Sequence, residues 1–239
     1  MLIIDRKRLY SFVFSMVLIF SIASIFGFGE NAVETVAPPV SGITVVIDPG
    51  HGLPDGGAVG LSGTLEYELN LKIARELGSL LQQSGAKVVY TREDDYSVAN
   101  DSSETIRNIK RNDLNIRKKI AQSSDADLFI SIHMNKFEDS KYKGAQVFYD
   151  TSLPQNEKLA QSIQKYIRDF ADNSNTREAK KSGGSIYVLK DLPIPSALVE
   201  CGFISNQEEE KQLQTVSYQK KIAFSVYCGI INYMNESRQ

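Results

Sequence analysis

The sequence predicts an α/β fold: a twisted, mostly parallel sheet of about six strands flanked by helices on both faces, forming a single domain. Three observations lead there. The short runs Val45-Val46-Ile47 and 128–132 (Leu-Phe-Ile-Ser-Ile) lack a regular apolar–polar alternation, as strands covered on both faces require. Such runs alternate with longer segments whose apolar residues recur at helical spacing. The 239 residues are 42% hydrophobic and 23% charged, a composition that can bury a substantial core.

Each element follows in order. Arg6, Lys7 and Arg8 precede an uncharged apolar run, residues 9–28. That run has the length of a bilayer-spanning helix, with the basic flank where the positive-inside rule puts it. Ala-Ser-Ile-Phe-Gly is a poor cleavage site, so residues 1–29 are expected to be either a signal peptide or an N-terminal membrane anchor, and the protein to be exported. Residues 30–41, with Pro38-Pro39, read as a linker. A domain over 42–239 then opens with a strand at 45–47 and a Gly-rich loop. Residues 66–84 form a helix with Leu69, Ile73, Leu77, Leu80 and Leu81 on one face. Strands are expected at 87–91, 128–132, 145–149, 185–189 and 197–201. Helices are expected at 103–123, at about 156–170, through Leu213, and at 216–235, with a loop over 173–184.

Several function classes fall away. The 27 basic and 29 acidic side chains leave a formal charge of -2, so no basic field points to nucleic acid. Two cysteines are too few for a disulfide framework or a four-thiolate site. The loop Gly50-His51-Gly52-Leu53-Pro54-Asp55 carries Asp55 where a dinucleotide fingerprint needs its third glycine, and no Gly-Lys-Ser/Thr follows. No nucleotide partner is expected.

In an open α/β sheet, ligands bind beyond the carboxyl ends of the strands. Strand one ends in Asp48-Pro49-Gly50-His51, strand three in His133-Met134-Asn135, and the late strand in Glu200-Cys201-Gly202; Glu66 opens the first helix after the Gly-rich loop. The only two histidines of the chain thus meet two glutamates on one rim. A single histidine is more often structural, and Glu66 alone would be an ordinary acidic residue in a first helical turn. Both histidines at the functional edge, with Glu200 following a buried run, make a site the better account. Two imidazoles and one carboxylate are a normal protein set for catalytic Zn2+, and the remaining carboxylate could then act as general base and acid. Cys201 reads as a small buried apolar residue rather than a nucleophile.

These residues resemble a known family. Asp48-Pro49-Gly50-His51-Gly52, Gly63-x-x-Glu66-x-Glu68-Leu69-Asn70, Ser131-Ile132-His133-x-Asn135 and Leu198-Val199-Glu200-x-Gly202-Phe203-x-Ser205-Asn206 are similar, in order and over about 160 residues, to the four signature blocks of the zinc-dependent N-acetylmuramoyl-L-alanine amidases. Glu68 stands where that family usually has aspartate. The resemblance implies His51, Glu66 and His133 as zinc ligands and Glu200 as the catalytic glutamate. It implies peptidoglycan as substrate, cleaved between N-acetylmuramic acid and L-alanine. Arg92 and Arg117 also match family positions; Arg92 and Asn135 are candidate substrate-binding residues, although a structural ion pair serves Arg92 equally well.

Residues 94–113 are longer and more polar than the minimal family pattern, and the chain holds no wall-binding repeat. Together with the N-terminal apolar segment, these features resemble the sporulation members of the family. That resemblance implies action in the cortex or intermembrane space of the developing spore, as a step towards the muramic-δ-lactam read at germination. The alternatives are a vegetative lytic or cell-separation amidase and an inactive wall-binding relative. Without a wall-binding module, an exported or membrane-attached accessory protein is expected to help recruit the enzyme.

Overall fold

The computed structural model describes residues 6–26, 38–99 and 103–237. The chain divides into two units, Met1–Ala37 and Pro38–Gln239. The first unit contains helix α1, Arg6–Phe26. Among the described residues no helix is long and apolar enough to cross a membrane. Most of the expected linker, residues 30–37, and the end of the apolar run, residues 27 and 28, lie outside the described residues.

The second unit carries a six-stranded sheet in the order β2-β1-β3-β6-β4-β5. Its strands are β1 (Thr44–Pro49), β2 (Lys87–Tyr90), β3 (Leu128–Asn135), β4 (Gln146–Tyr149), β5 (Lys180–Lys181) and β6 (Ser196–Phe203). All pairings are parallel except β4 with β6, so the sheet is mostly parallel, as expected. Around it lie α2 (Glu66–Gln83), α3 (Ile106–Ser123), α4 (Pro154–Tyr166), α5 (Gln207–Leu213) and α6 (Val216–Ser237).

The two-residue period of a strand sorts the core into two layers. Val45, Ile47, Ile130, Ile132, Ala197 and Val199 point to one face, where they pack with Leu69, Ile73, Leu77, Leu159, Ile163, Ile222 and Val226 from α2, α4 and α6. Val46, Phe129 and Leu198 point to the other, beneath Ala121 of α3 and Val188, Leu189 and Leu192. Both faces are covered, which is why the central strands read as continuous apolar runs.

Three expected elements are corrected. Residues 185–189 do not form a strand. Tyr187–Leu189 is a 3₁₀ turn, closed by Leu189 N–H to Ile186 O (3.2 Å), and it lays Val188 and Leu189 across the second face of the sheet. The sixth strand is instead Lys180–Lys181, inside the expected loop, parallel to Phe148 and Tyr149 at the sheet edge. Two exposed lysines carry no apolar signal, so periodicity had nothing to find there. Helix α4 also ends earlier than expected and continues as a π-helical turn, Ile167–Ala171.

Candidate active site

The same alternation that sorts the core brings the polar residues together. On the α3 side of the sheet, Asp48 follows Val46, Ser131 and His133 follow Phe129, and Glu200 follows Leu198. The register places Asp48 beside Ser131 and His133 beside Glu200. His51 reaches the same rim from the β1–α2 loop and Glu66 from the start of α2.

Three side chains converge. His51 Nε2 lies 3.2 Å from Glu66 Oε2, and His133 Nδ1 lies 2.9 Å from Glu66 Oε1. The two imidazoles meet edge to face at 4.9 Å. One donor atom from each of His51, Glu66 and His133 lies within 4.8 Å of the others, so the group could hold a metal ion. Glu66 is aimed by backbone: Ala58 N–H donates to Oε2 (2.7 Å) and Met134 N–H to Oε1 (3.0 Å). Burial alone would raise its pKa, but His133 and His51 outweigh that and hold its carboxyl well below the usual range. His51 moves the other way. Burial lowers its pKa, yet Asp55 and Glu66 raise it to about 9. A proton drawn this strongly to the His51 imidazole beside Glu66 marks a place where positive charge is wanted, and metal binding displaces such a proton.

Backbone makes the room. Gly50 sits so close to the His133 ring that a Cβ there would lie 2.2 Å from it, and a Cβ on Gly57 would lie 2.6 Å from Glu66 Oε2. His51 itself has φ of 61°, the left-handed region costly for a residue with a Cβ. Several bonds hold it: Nδ1 meets Asp55 Oδ2 at 2.9 Å, and its carbonyl accepts from Arg117 Nη2 at 2.5 Å. Asp55 thereby leaves Nε2 turned towards Glu66, the arrangement in which a carboxylate would back a histidine that could hold a metal ion. Its own pKa falls to about 2: burial opposes the drop, and the hydrogen bonds with His51 and Lys110 drive it.

Glu200 differs in every respect. Its Oε2 is buried with no hydrogen-bond partner among the described residues. Burial pushes its carboxyl up to about 7, with His133 pulling it down and Glu66 adding to the rise. A carboxylate left unpaired and poised near neutrality is suited to proton transfer. A buried atom without a partner beside two imidazoles and a carboxylate also fits a site built to receive a cation and a reacting group. Beside these residues opens a cavity of about 360 Å³, walled by Ile109, Lys110 and Leu114 of α3 and by Ile186 and Val188.

The remaining expectations resolve as follows. Arg92 is buried under the loop, and its guanidinium donates to the carbonyls of Pro49 (2.9 Å), Gly50 (3.0 Å), Tyr67 (2.8 Å) and Asp94 (2.6 Å). With four of its N–H groups donated to backbone, Arg92 braces the site loop, and among the described residues it forms no ion pair. Asn135 ends β3, half-buried, two residues from His133, and remains a substrate-binding candidate. Cys201 is buried and Cys228 half-buried; both are free thiols, and burial pushes Cys201 well above the ordinary thiol range, so it is no nucleophile. Sequence reasoning passed over Asp55. Its position four residues after His51 in a Gly-rich loop was the available signal.

Comparison with known proteins gives this chain a family. Residues 45–232 match the N-acetylmuramoyl-L-alanine amidase family. The germination-specific N-acetylmuramoyl-L-alanine amidase of Bacillus subtilis is 42% identical over 198 residues, 83% of this chain and 82% of that protein. The amidase LytC of the same species is 36% identical over 197 residues, but those span 36% of its length. The structure of the CwlD amidase from Clostridioides difficile, in complex with the GerS lipoprotein, superposes with a TM-score of 0.79 at 42% identity, covering 81% of this chain and 99% of that one.

Proposed function

The chain belongs to the N-acetylmuramoyl-L-alanine amidase family and is an amidase of peptidoglycan, and from that premise we propose that it is a zinc enzyme acting in the spore cortex, on the route to muramic-δ-lactam. The observation that carries the chemistry is the convergence of His51, Glu66 and His133 beside an unpartnered Glu200. In this reading the three residues hold zinc, and zinc when bound supplies Lewis acidity toward the scissile carbonyl and the attacking water.

The protein's own groups do the rest. Glu200 takes a proton from the attacking water at its unpaired Oε2 and returns it to the nitrogen of L-alanine as that amine leaves. A buried carboxyl oxygen with no hydrogen-bond partner among the described residues is open to do both. Asp55 keeps His51 in one tautomer and one orientation. The apolar wall formed by Ile109, Leu114, Ile186 and Val188 excludes water from one side of the reacting amide.

The 42% identity to a germination-specific amidase, over most of both chains, supports the cortex role. The 36% identity to LytC, an amidase whose name specifies no stage of the life cycle, leaves a second reading, a vegetative wall amidase. Deleting the gene and measuring muramic-δ-lactam in purified cortex separates them. Loss of the lactam with normal cell separation supports the first reading; unchanged lactam supports the second.

Residues 1–29 fit an export signal or membrane anchor that would place the domain 42–239 outside the cytoplasm. The complex formed by the Clostridioides difficile relative supports an exported or membrane-attached accessory partner for this chain too.

A further inference from the structure

Behind His51 lies one more link. Asp55 divides its two oxygens: Oδ2 meets His51 Nδ1 at 2.9 Å, and Oδ1 accepts from Gly57 N–H at 3.2 Å and from Lys110 Nζ at 2.9 Å. Lys110 sits on α3, at the wall of the cavity beside Glu200. It is half exposed, whereas Asp55 is largely covered. The other carboxylate near it on α3, Asp113, is already engaged by Arg117, by the Ser97 hydroxyl and by Val98 N–H (2.9 Å). Lys110 is therefore directed to Asp55, and it ties the α3 wall to the loop that carries His51.

We propose that Lys110 is a positioning residue for the metal centre, acting through Asp55 to fix the orientation of His51. The inference rests on the reading of His51 as a metal ligand. A carboxylate that orients a ligand histidine must itself be held, and such outer partners are typically worth about 10–100-fold in metal affinity. Lys110 is one bond farther out and partly in water, where an ion pair contributes less. Its removal is expected to weaken metal binding about fivefold. A bare ammonium near a divalent cation would do the opposite and repel it, so the sign of the effect distinguishes positioning from simple charge.

The test measures zinc affinity of the full-length chain in detergent solution by competition with a chromophoric chelator. Lys110→Met should weaken binding about fivefold, Lys110→Arg should restore most of it, and the loss should shrink in about 1 M salt, which screens an exposed pair. In an Asp55→Asn background, Lys110→Met should have no further effect, because the route through Asp55 is already cut. Unchanged or tighter binding in Lys110→Met overturns the inference, as does an equal loss in the Asp55→Asn background. The premise is read separately: if His51→Ala binds zinc as well as the unaltered chain, His51 is not a ligand and the inference falls with it.

Discussion

Glu66 and Glu200 are chemically identical side chains given opposite acidities by their surroundings. Glu66 receives two backbone N–H groups and two imidazoles and stays ionised; Glu200 keeps a buried oxygen without a partner and sits near 7. Glu200→Gln should therefore keep the metal and lose hydrolysis of a muramoyl-peptide by at least about 10²–10⁴-fold, the usual worth of general acid–base catalysis. Mass analysis of products beside metal content on one preparation checks this. The convergence of these four residues was legible because strand ends are where an α/β sheet puts chemistry, and because two histidines in 239 residues are conspicuous. Asp55 and Lys110 were not legible. Asp55 left only its spacing of four residues from His51 as a signal, and Lys110 reaches Asp55 across 55 positions of sequence, a contact that no local pattern encodes. Arg92 was legible as important, but its burial beneath the loop was not, since nothing local tells a guanidinium whether to face solvent or carbonyls.

At the scale of elements, α3 is tied to the sheet by one buried cation. Arg117 pairs with Asp48 Oδ1 (2.6 Å) and Asp113, and donates to Pro49 O (2.7 Å) and His51 O (2.5 Å). Arg117→Met would leave Asp48 buried and uncompensated, so unfolding experiments should show a loss of about 3–5 kcal/mol. Asp48 also sets a pH dependence. Burial would raise its pKa, but Arg117, Ser131 and Thr91 outweigh that and lower it. A carboxyl depressed by folding stabilises fully above its unfolded value and loses that contribution as pH falls. The melting temperature should thus drop below about pH 4 and do so less steeply in an Asp48→Asn chain.

On the opposite layer, α6 approaches α4 at Gly229, where a Cβ would lie 2.5 Å from Ile163 Cα. Gly229→Ala should cost about 1–3 kcal/mol by forcing the helices apart, read as a shift in denaturation midpoint. Helices with strong apolar faces were found within a few residues of their expected ends. The 3₁₀ turn at Tyr187–Leu189 was misread because Ile-Tyr-Val-Leu favours strands locally, while its tertiary task is to cover the sheet.

For the whole molecule, the account joins a catalytic domain, a Zn2+ site and an exported location. The apolar run at residues 9–28 predicts that fractionation will recover the protein in membrane or extracytoplasmic material, and a stable cytosolic pool of the full chain would contradict it. The central claim is the division of labour on the sheet rim: His51, Glu66 and His133 bind metal, and Glu200 moves the proton. The most direct test is zinc content and muramoyl-L-alanine hydrolysis, measured together on the unaltered chain, Glu66→Gln and Glu200→Gln. The account predicts zinc in the unaltered chain and in Glu200→Gln, little in Glu66→Gln, and hydrolysis only in the unaltered chain. A Glu200→Gln protein that loses its zinc, beside a Glu66→Gln protein that keeps zinc and loses only rate, would contradict it.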